Sequence, residues 1–135
     1  MKIALIGLPQ AGKRTLFTLL TGRLVPESRK PGEGVDGIAA VRDPRVDDLS
    51  EIFQPERTTY AENHFVLCPD AATDGVAHDW LDAARRCQLV CLVLRAFDDD
   101  SVYHPSGSVD AERDRQSLEA ELLLADMELV EKRLE

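Results

Sequence analysis

The sequence carries one glycine-containing loop with a recognisable chemistry, Gly7-Leu8-Pro9-Gln10-Ala11-Gly12-Lys13-Arg14-Thr15. The mostly apolar stretch 1–6 before it predicts a short buried strand, and the stretch 16–20 after it predicts the start of a helix. A strand, a glycine loop and a helix in this order are typical of a phosphate-binding loop. Its backbone N–H groups and the positive end of the helix converge on one anion. The alternative is a tight strand-to-helix turn that happens to contain Gly and Lys.

The residues of the loop differ in what they offer a ligand. Gly7 and Gly12 permit backbone angles and a close approach that a β-carbon would block. Lys13 is placed to reach the outer phosphates, but Arg14 stands where the pattern has the Ser or Thr that holds Mg²⁺. We therefore predict a phosphate site with no catalytic residue and no side chain in place for the metal. Its members are Gly7, Pro9, Gln10, Ala11, Gly12, Lys13, Arg14 and Thr15.

The role of Arg14 has two interpretations. Its guanidinium could supply positive charge where Mg²⁺ would otherwise sit, giving metal-independent binding of a nucleotide or phosphate. Alternatively, Arg14 points to solvent from the first turn of the helix, since arginine is a good helix former on a polar face.

The composition favours one soluble globular domain. The 135 residues are 44% hydrophobic and 30% charged, and the net charge of −9 argues against broad binding of nucleic acid. The longest apolar run, 89–94, is too short to span a bilayer, and the N-terminus has no signal-peptide pattern. The three cysteines have no metal-type spacing and are expected to be small core residues. These features predict a cytoplasmic protein.

Strand-like and helix-like segments alternate along the chain. Strands are expected at 1–6, 38–41, 58–67 and 89–94, and helices at 13–21, 44–53, 79–87 and 110–135. This order predicts a three-layer α/β fold with its phosphate site at the carboxyl ends of the strands. The unbroken apolar run 89–94 predicts a central strand covered on both faces.

The spacing of apolar residues predicts which helix faces are buried. In the second helix the buried face is expected to comprise Val46, Leu49, Ile52 and Phe53. In the third helix Trp80, Leu81 and Ala84 should point inward. In the last helix, spacings of four and three indicate a coiled-coil seam of Leu118, Leu122, Ala125 and Leu129.

Other candidate residues have ordinary interpretations. His64, His78 and His104 lack a cysteine or carboxylate at metal spacing and are read as ordinary residues. The run Asp98-Asp99-Asp100 could be a cation site, but a solvated loop at the end of a strand is favoured.

Four segments together resemble one family, the YchF subfamily of Obg-type P-loop GTPases, also called Obg-like ATPases. The loop GLPQAGKRT (7–15) is similar to the family's GLPNVGKST. The run VRDPRVDDLSEIFQPERT (41–58) resembles DPRLDxLxEIxxPERT, and LRAFDDDSVYH (94–104) resembles VVRCFxDDxIxH. Residues 109–126 resemble VNPxxDIxxIxxELxLAD. The four matches run in order over nearly the whole chain.

The resemblance implies a P-loop G domain interrupted by a coiled-coil arm and followed by a TGS domain. It also implies hydrolysis of ATP or GTP and association with the ribosome. The resemblance covers the N-terminal part of the G domain, so we expect a truncated G-domain-like fold over 1–109. The helix 110–135 would continue from it as a long amphipathic helix resembling the first arm of the coiled coil. The family's base-recognition motif and TGS domain would lie beyond this segment.

Within the matched part, the motifs expected to hold Mg²⁺ are altered. Besides Arg14, Leu67 stands at the Asp of the family's DxxG motif and Asp70 at its Gly. The resemblance implies that this Asp acts through the hydration shell of Mg²⁺ and that this Gly senses the γ-phosphate. Residues 30–36 replace the family's threonine-bearing switch. Leu67 cannot hold a metal, and Asp70 would repel phosphate if it faced the site.

Two functions follow from this combination. The first is binding of a purine nucleotide, GTP or ATP, or of phosphate, with weak or no hydrolysis; whether the protein is an enzyme stays open. The second is a degenerate pseudo-GTPase that acts as a protein-interaction module. The 118–134 leucine stripe would then serve self-association or binding of a second protein.

Overall fold

Strands and helices alternate in the computed structural model, which describes residues 1–26, 32–71 and 79–134. In chain order they are β1 (Lys2–Ile6), α1 (Lys13–Thr21), β2 (Val35–Val41), α2 (Pro44–Phe53), β3 (Ala61–Leu67), α3 (Asp79–Arg85), β4 (Leu89–Leu92) and α4 (Ala111–Leu134). Strand β2 begins earlier than the sequence suggested, because its first residue, Val35, pairs with Leu67 of β3. None of the described helices combines the length and apolar character that crossing a membrane would require.

The strands form one mixed sheet in the order β2-β3-β1-β4. Strand β1 lies in the centre and runs parallel to β3 and β4, with Leu5 opposite both Leu67 and Cys91. Strand β2 pairs antiparallel with β3. The carboxyl ends of β1, β3 and β4 therefore meet at one edge of the sheet, which is where open α/β sheets place their ligands.

The two faces of the sheet carry separate apolar clusters. On one face, Leu5 and Leu67 pack with Phe17 of α1. On the other face, Ala4 and Ile6 pack with residues of α3 and α4, namely Trp80, Leu81, Ala84, Leu118 and Ala125. Alternate residues of β1 thus point to opposite faces, as the pleat of a strand requires. The result is the predicted three-layer α/β arrangement with a long C-terminal helix.

The ends of the first two helices are set by local signals. Gly22, immediately after α1, adopts a left-handed conformation with φ 67°, and its N–H donates to the carbonyl of Thr18. Asp43 precedes α2 and accepts a hydrogen bond from the N–H of Arg45, while Pro44 occupies the first helical position. Both helices therefore end or begin where their sequence signals predict.

Two predictions about burial were wrong. The strand formed from the run 89–94 lies at the edge of the sheet, and Leu89 and Val90 are exposed. The face of α2 that was expected to be buried is largely exposed, with Phe53 at 74% and Leu49 and Ile52 also open to solvent. An apolar pattern specifies which residues share a surface, but a covering partner must come from elsewhere in the fold.

Helix α4 packs against the cluster on the sheet through its N-terminal part, as far as Ala125. Leu118 and Ala125 are buried and Leu122 is partly buried against the same cluster, whereas Leu129 is exposed. Of the predicted seam, three members therefore contact the domain itself. The apolar residues Leu123, Leu124, Met127, Val130 and Leu134 are exposed along the rest of the helix.

Candidate functional site

The loop between β1 and α1 has the backbone shape of a phosphate-binding turn. Gln10 and Gly12 both adopt left-handed conformations, with φ of 58° and 93°. Gly7 lies so close to the strand segment opposite that an added β-carbon would be 2.3 Å from the carbonyl oxygen of Val93. Only glycine at position 7 therefore lets the start of the loop pass this close to Val93.

Helix α1 begins directly after this turn and presents an uncapped amino end. Gly12 occupies the cap position, no side chain among the described residues caps the helix there, and the first turn contains no acidic residue. The first N–H groups of a helix have no partner within it, and the helix dipole makes this end positive. A helix end of this kind is a type of position at which proteins bind anions.

Lys13 is the most buried charged group of the loop. Its side chain is only 3% exposed. Its ammonium donates to the carbonyl oxygens of Gly7 at 2.7 Å and Leu8 at 2.8 Å. A third hydrogen bond goes to the carboxylate of Asp70 at 2.6 Å. Since an ammonium has three N–H bonds, each of them has a partner.

Asp70 thus faces the loop. It follows β3 at the same edge of the sheet, and the N–H of the next residue, Ala71, donates to the carbonyl of Gly7 at 3.1 Å. Burial lowers the pKa of Lys13, and the hydrogen bond and charge of Asp70 oppose that effect. The side chain of Asp70 is 54% exposed, so the ion pair joins a buried ammonium to a carboxylate that contacts solvent.

The remaining predicted site residues of the loop differ in exposure. Ala11 is buried and Pro9 is partly buried, while Gln10, Arg14 and Thr15 are exposed. The exposure of Arg14 agrees with the interpretation that it points to solvent.

Neither of the two positions that the family pattern assigns to Mg²⁺ carries an oxygen ligand. Arg14 offers no oxygen atom, and Leu67 is buried in the apolar cluster with Leu5 and Phe17. Mg²⁺ prefers oxygen ligands, which neither side chain supplies. Within residues 1–26, 32–71 and 79–134, no group of three or more His, Cys, Asp and Glu side chains could hold a metal ion.

A buried pair that the sequence did not predict lies near the loop. The Nε2 of His104 lies 2.9 Å from the carboxylate of Asp114, and both side chains are buried. The N–H of Ser106 donates to Nδ1 of His104, so Nε2 carries a proton and donates to Asp114. His104 lies close to Leu8, Pro9 and Ala11 of the loop. Because ten residues separate the pair, no local spacing could have predicted it.

Arg95 organises the loop that follows β4. This buried guanidinium donates to the carbonyls of Phe97, Asp99 and Val102. Residues Asp98, Asp99 and Asp100 are all exposed, and the Asp99 carboxylate accepts hydrogen bonds from Ser101. This arrangement agrees with a solvated loop. His64 is exposed, and His78 lies outside the described residues.

Comparison with known proteins shows clear relatives, although no protein-family model matches this chain. The "Ribosome-binding ATPase YchF" of Bacillus subtilis is 35% identical over an alignment of 138 positions, which covers 96% of this chain and 38% of the relative. The protein of the same name from Escherichia coli O157:H7 is 32% identical over an alignment of 139 positions, which covers 97% of this chain and 38% of the relative.

A solved structure agrees with these relatives. The YchF GTPase of Schizosaccharomyces pombe matches 99% of this chain and 38% of its own, with a TM-score of 0.76 and 31% identity. This chain therefore spans well under half the length of the proteins that it matches. By sequence and by fold, it belongs to the YchF subfamily of Obg-type P-loop GTPases and corresponds to part of their G domain.

Proposed function

We propose that this chain binds a purine nucleotide, GTP or ATP, or a phosphate group, and hydrolyses it weakly or not at all. The binding residues are those of the loop, Gly7 and Pro9 to Thr15. The observation that carries the proposal is the Lys13 ammonium, held by two loop carbonyls beside an uncapped helix end. The relatives' names, an ATPase and a GTPase, support the same ligand class.

We expect weak hydrolysis because the family's Mg²⁺ positions carry no oxygen ligand in this chain. Phosphoryl transfer is accelerated mainly by positioning and by charge stabilisation, with Mg²⁺ bridging the β- and γ-oxygens. Arg14 and Leu67 provide no oxygen ligand at the two positions where the family pattern has one. What the chain's own residues supply is a helix end and one lysine, which bind and orient an anion.

Isothermal titration calorimetry with GDP, GTP, ADP and ATP tests this proposal. Each nucleotide is titrated with Mg²⁺ and again with EDTA. We expect binding in both conditions and loss of binding in Lys13→Met. Lys2→Met is the matched control, because Lys2 lies at the opposite end of β1. No heat with any nucleotide, from a chain shown by circular dichroism to be folded, would exclude nucleotide binding. Binding that requires Mg²⁺ would show that a metal site is present.

A second candidate function is that of an interaction module, supported by the exposed apolar residues of α4 beyond Ala125. Because relatives are named ribosome-binding, the ribosome is one proposed partner, with a cytoplasmic location, and self-association is the other. Sedimentation velocity over a concentration series, with and without ribosomes, tests this. Met127→Glu should abolish association, whereas Glu128→Gln on the same helix should not. A chain that stays monomeric and does not sediment with ribosomes would refute the idea.

A further inference from the structure

The third N–H bond of Lys13 already has an anionic partner within the chain. The ammonium donates to two loop carbonyls and to the carboxylate of Asp70 at 2.6 Å. A P-loop lysine contacts the β- and γ-phosphates of a nucleotide with this group. The Asp70 carboxylate therefore takes a position on the lysine that the outermost phosphate of a triphosphate would need.

We infer that Asp70 makes this loop a site for nucleoside diphosphates in preference to triphosphates. The inference rests on the proposed nucleotide binding. A β-phosphate can sit on the backbone N–H groups at the start of α1 while Lys13 keeps its bond to Asp70. A γ-phosphate must displace that carboxylate or lie beside it, and two anions at close range repel each other.

Apart from Lys13 itself, no described cation near the loop offsets this repulsion. The Arg14 side chain is exposed on the first turn of α1. Arg95 is buried, but its N–H groups are directed to the carbonyls of Phe97, Asp99 and Val102. The remaining means of neutralising a γ-phosphate is Mg²⁺, which the residues at positions 14 and 67 do not fit. The charge of Asp70 therefore acts directly against a third phosphate.

Calorimetric titration of the full chain with GDP, GTP, ADP and ATP tests the preference. The wild type should bind each diphosphate at least about tenfold more tightly than the matching triphosphate, since a close unit charge near a protein surface is worth several kT. Asp70→Asn keeps the shape and removes the charge, and should bring the two affinities within about threefold of each other. Asp70→Ser is a second variant with the charge removed. Asp98→Asn, which neutralises an exposed aspartate elsewhere, should leave the preference unchanged.

The outcomes separate this inference from the proposed function. Equal affinities of the wild type for diphosphates and triphosphates would overturn the inference and leave nucleotide binding intact. An unchanged ratio in both Asp70 variants would overturn it as well. No binding of any nucleotide to the folded wild type or to either Asp70 variant would overturn the proposed function itself.

Discussion

Leu118→Ala tests whether helix α4 is an integral part of the domain. Leu118 is 1% exposed and shares a cluster with Trp80 of α3 and with Ile6 of the central strand. The substitution removes three buried carbon atoms, worth about 2.4 kcal/mol at about 0.8 kcal/mol each. A cavity that does not collapse adds to this, so the free energy of unfolding should fall by about 2.5–5 kcal/mol.

Urea unfolding, followed by tryptophan fluorescence, measures this change in the free energy of unfolding. Trp80 is the only tryptophan and is buried in the affected cluster, so its fluorescence follows unfolding of the domain, and circular dichroism follows the helices. With a slope of about 1–3 kcal/mol per M, the midpoint should fall by roughly 1 M or more. Leu124→Ala is the matched control on the same helix, because Leu124 is 54% exposed. If Leu118→Ala lowered stability no more than Leu124→Ala, the packing of α4 on the sheet would be refuted.

Three further predictions concern stability and charge. Gly7→Ala should lower the free energy of unfolding by about 1–3 kcal/mol, because the new β-carbon meets the carbonyl of Val93 at 2.3 Å; thermal unfolding measures this loss, and an unchanged midpoint would contradict the contact. His104→Ala should lower the free energy of unfolding by about 1–3 kcal/mol, because the buried carboxylate of Asp114 loses a hydrogen bond. In the same thermal unfolding assay, a loss of only a few tenths of a kcal/mol would argue against the His104–Asp114 pair. Hydrogen bonds, chiefly from Arg115, lower the pKa of Glu112 to about 2. The contribution of Glu112 to stability is therefore present above its ordinary pKa and is lost as the pH falls towards 2. In Arg115→Gln, NMR titration should show the pKa of Glu112 rising towards its ordinary value.

Local structure was the part most accessible from the sequence. The turn at Gly12, the cap at Gly22 and the start of α2 at Pro44 all depend on backbone preferences of a few adjacent residues. The inward positions of α3, including Trp80, followed from helical spacing and are buried as predicted. Each of these features depends mainly on its neighbours in the chain, which is why sequence patterns recovered them.

Long-range pairing was the part that patterns could not supply. The exposed face of α2 and the edge position of β4 show that an apolar repeat indicates which residues share a surface, but not which element packs against it. The expected repulsion between Asp70 and phosphate followed from charge alone. That Asp70 reaches Lys13, 57 positions away, depends on the parallel pairing of β1 with β3, which brings their carboxyl ends together.

The amino-acid order alone thus established the phosphate-type loop, the alternation of strands and helices, and the altered metal positions. These are statements about side-chain chemistry and local backbone geometry, which adjacent residues control. The tertiary structure determined that Asp70 pairs with Lys13, that His104 pairs with Asp114, and that Leu118 belongs to the core. Such contacts join distant segments, and only the assembled sheet and its covering helices determine which groups meet.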